Sequence, residues 1–71
     1  MTKTKLAFLK RVGSQFRYAR NEKGWSQEEL ADMAGIHRTY MGRIERGEAN
    51  APIYTLKKIA KVLKLTNLQI D

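Results

Sequence analysis

The stretch SQEELADMAGIHRTYMGRIERG, residues 26–47, decides the fold because it contains two helix beginnings with a turn between them. Ser26 can accept a hydrogen bond from the backbone N–H of Glu29, and the Glu29 carboxylate can accept one from Ser26, which makes a capping box. Gly35 stands where a helix needs a residue with positive φ to end. Two short helices joined by a glycine turn predict a helix-turn-helix at about residues 27–46.

The second of these helices, predicted from about Arg38 to Arg46, has two chemically different faces. At about 100° per residue, its apolar arc consists of Tyr40, Met41 and Ile44. The opposite arc, which we call the reading face, consists of Arg38, Thr39, Gly42, Arg43 and Arg46. Arginine can bind guanine O6 and N7 with two N–H groups, and it also binds phosphate. An ordinary solvated face usually mixes charges of both signs, whereas these three share one sign, so the pattern favours DNA binding.

The chain as a whole is small and basic. It has 71 residues, no cysteine and a formal net charge of +7. This length allows one small core, so we predict a single domain over residues 1–71. The charge suits an anionic partner, nucleic acid first and an acidic membrane surface second. No apolar run approaches the roughly 20 residues needed to cross a bilayer, and no signal peptide is recognisable. We therefore predict a cytoplasmic protein without membrane association.

The segments on either side of residues 26–47 also have helical periodicity. A first helix is predicted from about Leu6 to Lys23, and Gly24 ends it. A fourth helix is predicted to begin near Pro52, where a missing N–H costs least. Its apolar stripe consists of Leu56, Ile59, Ala60 and Leu63. Thr66 can cap a last helical turn. No stretch of useful length alternates apolar and polar residues with the period of two that marks a β-strand. We therefore predict an all-α fold, a compact bundle of four to five short helices.

Four segments carry a resemblance to a known family. They are GWSQEELA (24–31), AGI (34–36), RIERG (43–47) and LKKIAKVLKL (56–65). They resemble the Xre-type helix-turn-helix family of phage Cro and repressor proteins. Within that family, HRTYMGRIERGEAN (37–50) is most similar to restriction–modification controller proteins. The resemblance implies a lambda-repressor-like domain that binds double-stranded DNA sequence-specifically and regulates transcription as a symmetric homodimer on a palindromic operator. Alternatives are a phage-type repressor and the DNA-binding antitoxin of a toxin–antitoxin pair.

Position on the predicted helices divides the DNA contacts into two classes. The residues expected to read bases are Arg38, Thr39 and Arg43. Those expected to contact the DNA backbone are Gln27, His37, Tyr40, Arg46 and Asn50. His37 has a second interpretation, as a weak N-cap. The loop before the fourth helix departs from a frequent family pattern because it contains no basic residue.

Two further sets of residues are assigned structural roles. The resemblance implies that Arg20 pairs with Glu45 and ties the first helix to the end of the helix that carries the reading face. Tyr54, Leu68 and Ile70 are expected at the dimer interface, because a chain this short cannot cover all its C-terminal apolar side chains. Leu65 is expected in the domain's own core.

Catalysis finds little support in the sequence. His37 is the only histidine, and no cysteine or carboxylate pair has metal-ligand spacing. Neither a phosphate-binding glycine loop nor a nucleophile signature is recognisable. We therefore predict no enzymatic activity, no cofactor, no metal and no small-molecule ligand. A cationic membrane or RNA binder would need one long amphipathic helix, whereas capped short helices with internal stripes favour a packed domain.

Overall fold

The computed structural model describes residues 3–65, and these form four helices. They are α1 (Lys3–Glu22), α2 (Gln27–Ala34), α3 (Arg38–Glu45) and α4 (Ile53–Leu63). The prediction of an all-α helical bundle is confirmed for this part of the chain. Thr66, Leu68 and Ile70, for which a helical turn and an interface were predicted, lie outside the described residues. Within residues 3–65, no helix has the length and apolarity to cross a membrane.

The capping box at the start of α2 is present as predicted. The backbone N–H of Glu29 donates to Ser26 Oγ at 3.0 Å, and the Ser26 N–H donates to Glu29 Oε1 at 2.7 Å. At the other end of α2, Gly35 has φ 70°, and the N–H of Ile36 donates to the Ala31 carbonyl at 3.0 Å. Local hydrogen bonds therefore define α2 at both of its ends.

Three helix boundaries differ from the prediction. Helix α1 ends at Glu22, one residue before the expected Lys23. Helix α3 ends at Glu45, one residue earlier than expected, with Arg46 as its C-cap and Gly47 beyond it at φ 73°. Helix α1 begins at Lys3 rather than near Leu6. An apolar stripe marks only the buried part of a helix, so α1 extends beyond its stripe into solvent.

One large side chain from each helix meets at the centre of the core. Phe16 of α1, Leu30 of α2, Met41 of α3 and Ile59 of α4 are all completely buried. Fully burying an apolar side chain of this size contributes about 1.5–3 kcal/mol. Leu65 packs against this core, partly buried. Because Met41 and Ile44 occupy the core, the opposite side of α3 faces outward.

Helix α1 crosses the end of α3 at very short range. A Cβ atom on Gly13 would lie 2.4 Å from the carbonyl oxygen of Ile44 and 2.6 Å from that of Glu45. Only glycine permits backbones to approach so closely. This contact fixes the position of the last turn of α3 relative to α1.

Candidate nucleic-acid interface

The outward side of α3 carries the side chains that were predicted to read DNA. Arg38, Thr39, Arg43 and Arg46 are exposed, whereas Met41 and Ile44 are buried. Tyr40 is partly buried and packs against the core, so its ring faces inward as expected. Helix α3 and its C-cap therefore have a basic outer face and an inner face that is apolar except for Glu45.

A shallow open cleft lies between the first turns of α2 and α3. Its lining includes Gln27, Glu28, Arg38, Thr39, Gly42 and Arg46. A Cβ atom on Gly42 would lie 3.1 Å from Arg46 Nη1 and 3.3 Å from Gln27 Oε1. The absence of a side chain at Gly42 thus makes room for both of these groups. The cleft brings predicted base-reading and backbone-contacting residues together on one surface.

His37 is the N-cap of α3. Its Nδ1 accepts a hydrogen bond from the backbone N–H of Thr39 at 3.1 Å. In the neutral imidazole, the proton then belongs to Nε2, which can donate to an acceptor outside the domain. The capping interpretation of His37 is confirmed, and it leaves a phosphate contact through Nε2 chemically open.

A hydrogen-bonded group around Glu45 holds the first three helices together. Arg20 Nε donates to Glu45 Oε2 at 2.8 Å, and Arg20 Nη2 donates to Glu45 Oε1 at 3.0 Å. Arg20 Nη1 also donates to the carbonyl of Trp25 at 2.8 Å. The side chains of Arg20 and Glu45 are 11% and 1% exposed. This two-bond ion pair therefore lies almost entirely inside the domain.

Gln27 belongs to the same group, which the sequence did not indicate. Its Nε2 donates to Glu45 Oε1 at 3.0 Å. Gln27 and Glu45 are 18 residues apart and lie on different helices, so no local pattern joins them. The Gln27 side chain, which was expected to lie over the DNA backbone, is thus hydrogen-bonded to α3 at the wall of the cleft. Each buried side-chain nitrogen and oxygen of the described residues has a hydrogen-bond partner.

Carboxylates accompany two arginines of the reading face. Arg38 Nη1 lies 3.5 Å from Glu28 Oε1, and Arg46 Nε lies 3.0 Å from Glu48 Oε1. All four side chains are more than half exposed. An exposed pair contributes at most about 1 kcal/mol, so either arginine can exchange its carboxylate for another acceptor.

The loop after α3 contacts a third arginine. Arg43 Nη2 donates to the backbone carbonyl of Glu48 at 3.2 Å. Asn50, predicted to contact the DNA backbone, is exposed two residues further on.

On α4, Tyr54 is 72% exposed, and Lys58 Nζ lies 5.7 Å from its ring centre. Among residues 3–65, no three His, Asp or Glu side chains are grouped so that they could hold a metal ion.

Comparison with known proteins agrees with this arrangement. The helix-turn-helix family matches residues 16–69. The control protein C.SmaI of Serratia marcescens is 49% identical over 52 residues, which are 73% of this chain and 62% of that protein. The transcriptional regulator SinR of Bacillus subtilis is 38% identical over 56 residues, 78% of this chain and 50% of SinR. This chain thus spans only about half to three-fifths of the length of these two relatives.

One solved structure is similar to this chain over most of the length of both proteins. It is the crystal structure of the restriction–modification controller protein C.AhdI from Aeromonas hydrophila. The TM-score is 0.77 at 40% sequence identity, and the match covers 82% of this chain and 88% of that one. The lambda-repressor-like arrangement expected from the sequence therefore has a close counterpart in three dimensions.

Proposed function

Because this chain belongs to the helix-turn-helix family of transcription regulators, we propose that it binds double-stranded DNA sequence-specifically and regulates transcription. The predicted resemblance to restriction–modification controller proteins is confirmed by its similarity to C.SmaI and C.AhdI. The observation that carries the proposal is the exposed basic face of α3, which projects outward while the other face is anchored in the core. An α-helix of this kind fits the major groove of B-DNA.

We assign different DNA contacts to the two ends of the reading face. Arg38 and Thr39 lie at the N-terminus of α3, the end from which such helices contact base edges. Arg43, one turn further on, reads an adjacent base. Arg46 and the Tyr40 hydroxyl bind phosphates. Phosphate contacts position a protein on the duplex, whereas base contacts select the sequence.

The remaining backbone contacts come from residues around α3. His37 donates through Nε2, and Asn50 donates from the loop that follows the helix. Since the amide Nε2 of Gln27 is bound to Glu45, its contribution is its main-chain N–H in the first turn of α2. Unpaired N–H groups at a helix N-terminus favour phosphate.

The controller role in a restriction–modification system is the form of regulation that the relatives favour. C.AhdI is described as a restriction–modification controller protein, and C.SmaI is described as a control protein. SinR and phage-derived regulators are also similar, so a phage-type repressor is the second candidate. The genes beside this one discriminate between them, because a controller should adjoin an endonuclease and a methyltransferase. We further propose a cytoplasmic protein without enzymatic activity.

Replacing Arg38 with alanine should reduce selectivity more than overall DNA affinity. The loss on the cognate operator should be about 1–3 kcal/mol, because one two-bond contact to a base disappears. Binding to scrambled duplex should change little. The measurement is competitive binding to both duplexes at one fixed salt concentration, with the operator selected from a randomised pool.

Arg46→Ala is the matched control for this change. It removes the same charged group from the C-cap of the same helix, at a residue assigned to the DNA backbone. It should weaken binding to both duplexes by similar factors. It should also reduce the slope of log affinity against log salt concentration by about one, the value for one lost phosphate contact. If Arg38→Ala also weakens both duplexes equally, Arg38 binds phosphate and base reading belongs to Thr39 and Arg43.

We propose that the protein acts as a symmetric homodimer on a palindromic operator, with Tyr54, Leu68 and Ile70 at the interface. Symmetric dimers of this class bind half-sites about one helical turn apart. The double change Leu68→Asp and Ile70→Asp should give a folded monomer, because two charges cannot be buried against a partner. Equilibrium sedimentation at micromolar concentration checks this, together with the helical circular dichroism signal. An unchanged oligomer would place the interface elsewhere.

A further inference from the structure

We propose that Glu28 is a positioning residue for DNA recognition, which holds the Arg38 guanidinium so that its free edge faces a base. This inference rests on the proposed function and adds a second residue to the reading of one base. Glu28 belongs to α2, not to α3, and it was not among the residues predicted to contact DNA.

The geometry leaves Arg38 free to do both tasks at once. Only Nη1 of Arg38 lies against Glu28 Oε1, at 3.5 Å. A guanidinium has five N–H donors in one plane, so one can bind a carboxylate while two others reach guanine O6 and N7. Both side chains line the cleft between α2 and α3. The carboxylate thus stands beside Arg38 at the place where a base pair would enter.

The pair should gain strength when DNA is bound. In the free protein the two side chains are 67% and 63% exposed, and water weakens their attraction. A duplex that covers the cleft displaces this water, which lowers the local dielectric and strengthens the interaction. The carboxylate then limits the orientations of a long, flexible side chain. An orientation suited to guanine is favoured over contact with a neighbouring phosphate.

The pair has a second effect on DNA that lacks the matching base. Paired with Glu28, Arg38 contributes little net positive charge to the surface that faces the duplex. Non-specific binding is mainly electrostatic and depends on the number of phosphates neutralised. Glu28 should therefore strengthen cognate binding and weaken non-specific binding, two effects of opposite sign that a purely repulsive carboxylate would not produce.

Glu48 provides the internal comparison. It forms a similarly exposed pair with Arg46, at 3.0 Å. Because Arg46 is assigned to the DNA backbone, release of its guanidinium should favour any duplex. Glu48→Gln should therefore strengthen binding to operator and scrambled DNA alike, although it makes the same change of charge as Glu28→Gln.

The experiment compares wild type, Glu28→Gln and Glu48→Gln as full chains by fluorescence anisotropy. The probes are an operator selected with the wild-type protein and a scrambled duplex, at one salt concentration. Glu28→Gln should bind the operator about threefold to fivefold more weakly, the upper range for an exposed pair. It should bind scrambled DNA about twofold to threefold more tightly, because one cation is released to bind phosphate. Melting curves verify that each variant is folded.

A double-mutant cycle identifies Arg38 as the residue through which Glu28 acts. In an Arg38→Ala background, Glu28→Gln should no longer weaken operator binding. The inference is overturned if Glu28→Gln shifts both duplexes in the same direction, or if its operator loss persists without Arg38. Failure of the wild type to distinguish the two duplexes is a separate result, which would refute the proposed function itself.

Discussion

Replacing Arg20 with alanine is expected to destabilise the domain by on the order of 3–5 kcal/mol. The change would leave Glu45, whose side chain is 1% exposed, with a buried charge and only the Gln27 amide as a donor. It would also leave the Trp25 carbonyl without its bond to Arg20 Nη1. For a domain of this size the melting temperature should fall by roughly 20 °C. Thermal and urea unfolding, followed by circular dichroism, measure the effect.

Arg17→Ala is the matched control, because Arg17 is exposed on the same helix. Its effect on the free energy of unfolding should stay within about 0.5 kcal/mol. Equal melting temperatures for the Arg20 and Arg17 variants would show that the Glu45 charge is solvated without Arg20.

A double replacement separates the cost of losing the ion pair from the cost of leaving one buried charge without a partner. Arg20→Met combined with Glu45→Leu removes both charges and keeps apolar volume. It should recover most of the stability that Arg20→Ala loses, because the penalty comes mainly from the uncompensated carboxylate. The ion pair would then serve chiefly to fix the relative position of α1 and α3.

Replacing Gly13 with alanine should be nearly as damaging, through steric overlap alone. The new Cβ would lie 2.4 Å and 2.6 Å from two backbone carbonyl oxygens of α3. Backbone cannot rotate away as a side-chain tip can, so α1 and α3 must separate. We expect a net loss of about 3 kcal/mol, the upper range for overpacking, even though alanine favours a helix by about 1 kcal/mol over glycine. The denaturant midpoint for unfolding measures this loss.

Ser14→Ala tests whether the effect belongs to that contact. Ser14 is the next residue of α1 and is exposed, so this change should alter stability by less than about 0.5 kcal/mol. The Gly13 variant should also lose operator affinity at temperatures where it is still folded, because α3 would be displaced. A Gly13 variant as stable as wild type would mean that the helices can separate at little cost.

The features that the sequence predicted are those encoded by neighbouring residues. The capping box joins Ser26 to Glu29, only three positions apart, and the α4 stripe repeats within one helix. Both depend on local geometry, so sequence spacing alone predicts them. The predicted start of α1 was wrong because nothing in the polar first turn of this helix marks a boundary.

The features that were missed join distant parts of the chain. Gln27 binds Glu45 across 18 positions, and Gly13 meets the last turn of α3. Such contacts depend on how helices are placed in space, which side-chain periodicity does not specify. The Arg20–Glu45 pair was expected only through family resemblance, and the assignment of DNA contacts stays a prediction.

The separation of α3 into an anchored face and an exposed face has an evolutionary consequence. Substitutions at exposed positions usually change stability by less than about 0.5 kcal/mol. Residues 38, 39 and 43 can therefore change while the core contacts of Met41 and Ile44 remain intact. In the base-reading role proposed for these residues, single substitutions would give new operator preferences without passing through poorly folded intermediates. With that role, a duplicated gene carrying this domain would acquire a different set of targets while its scaffold stayed the same.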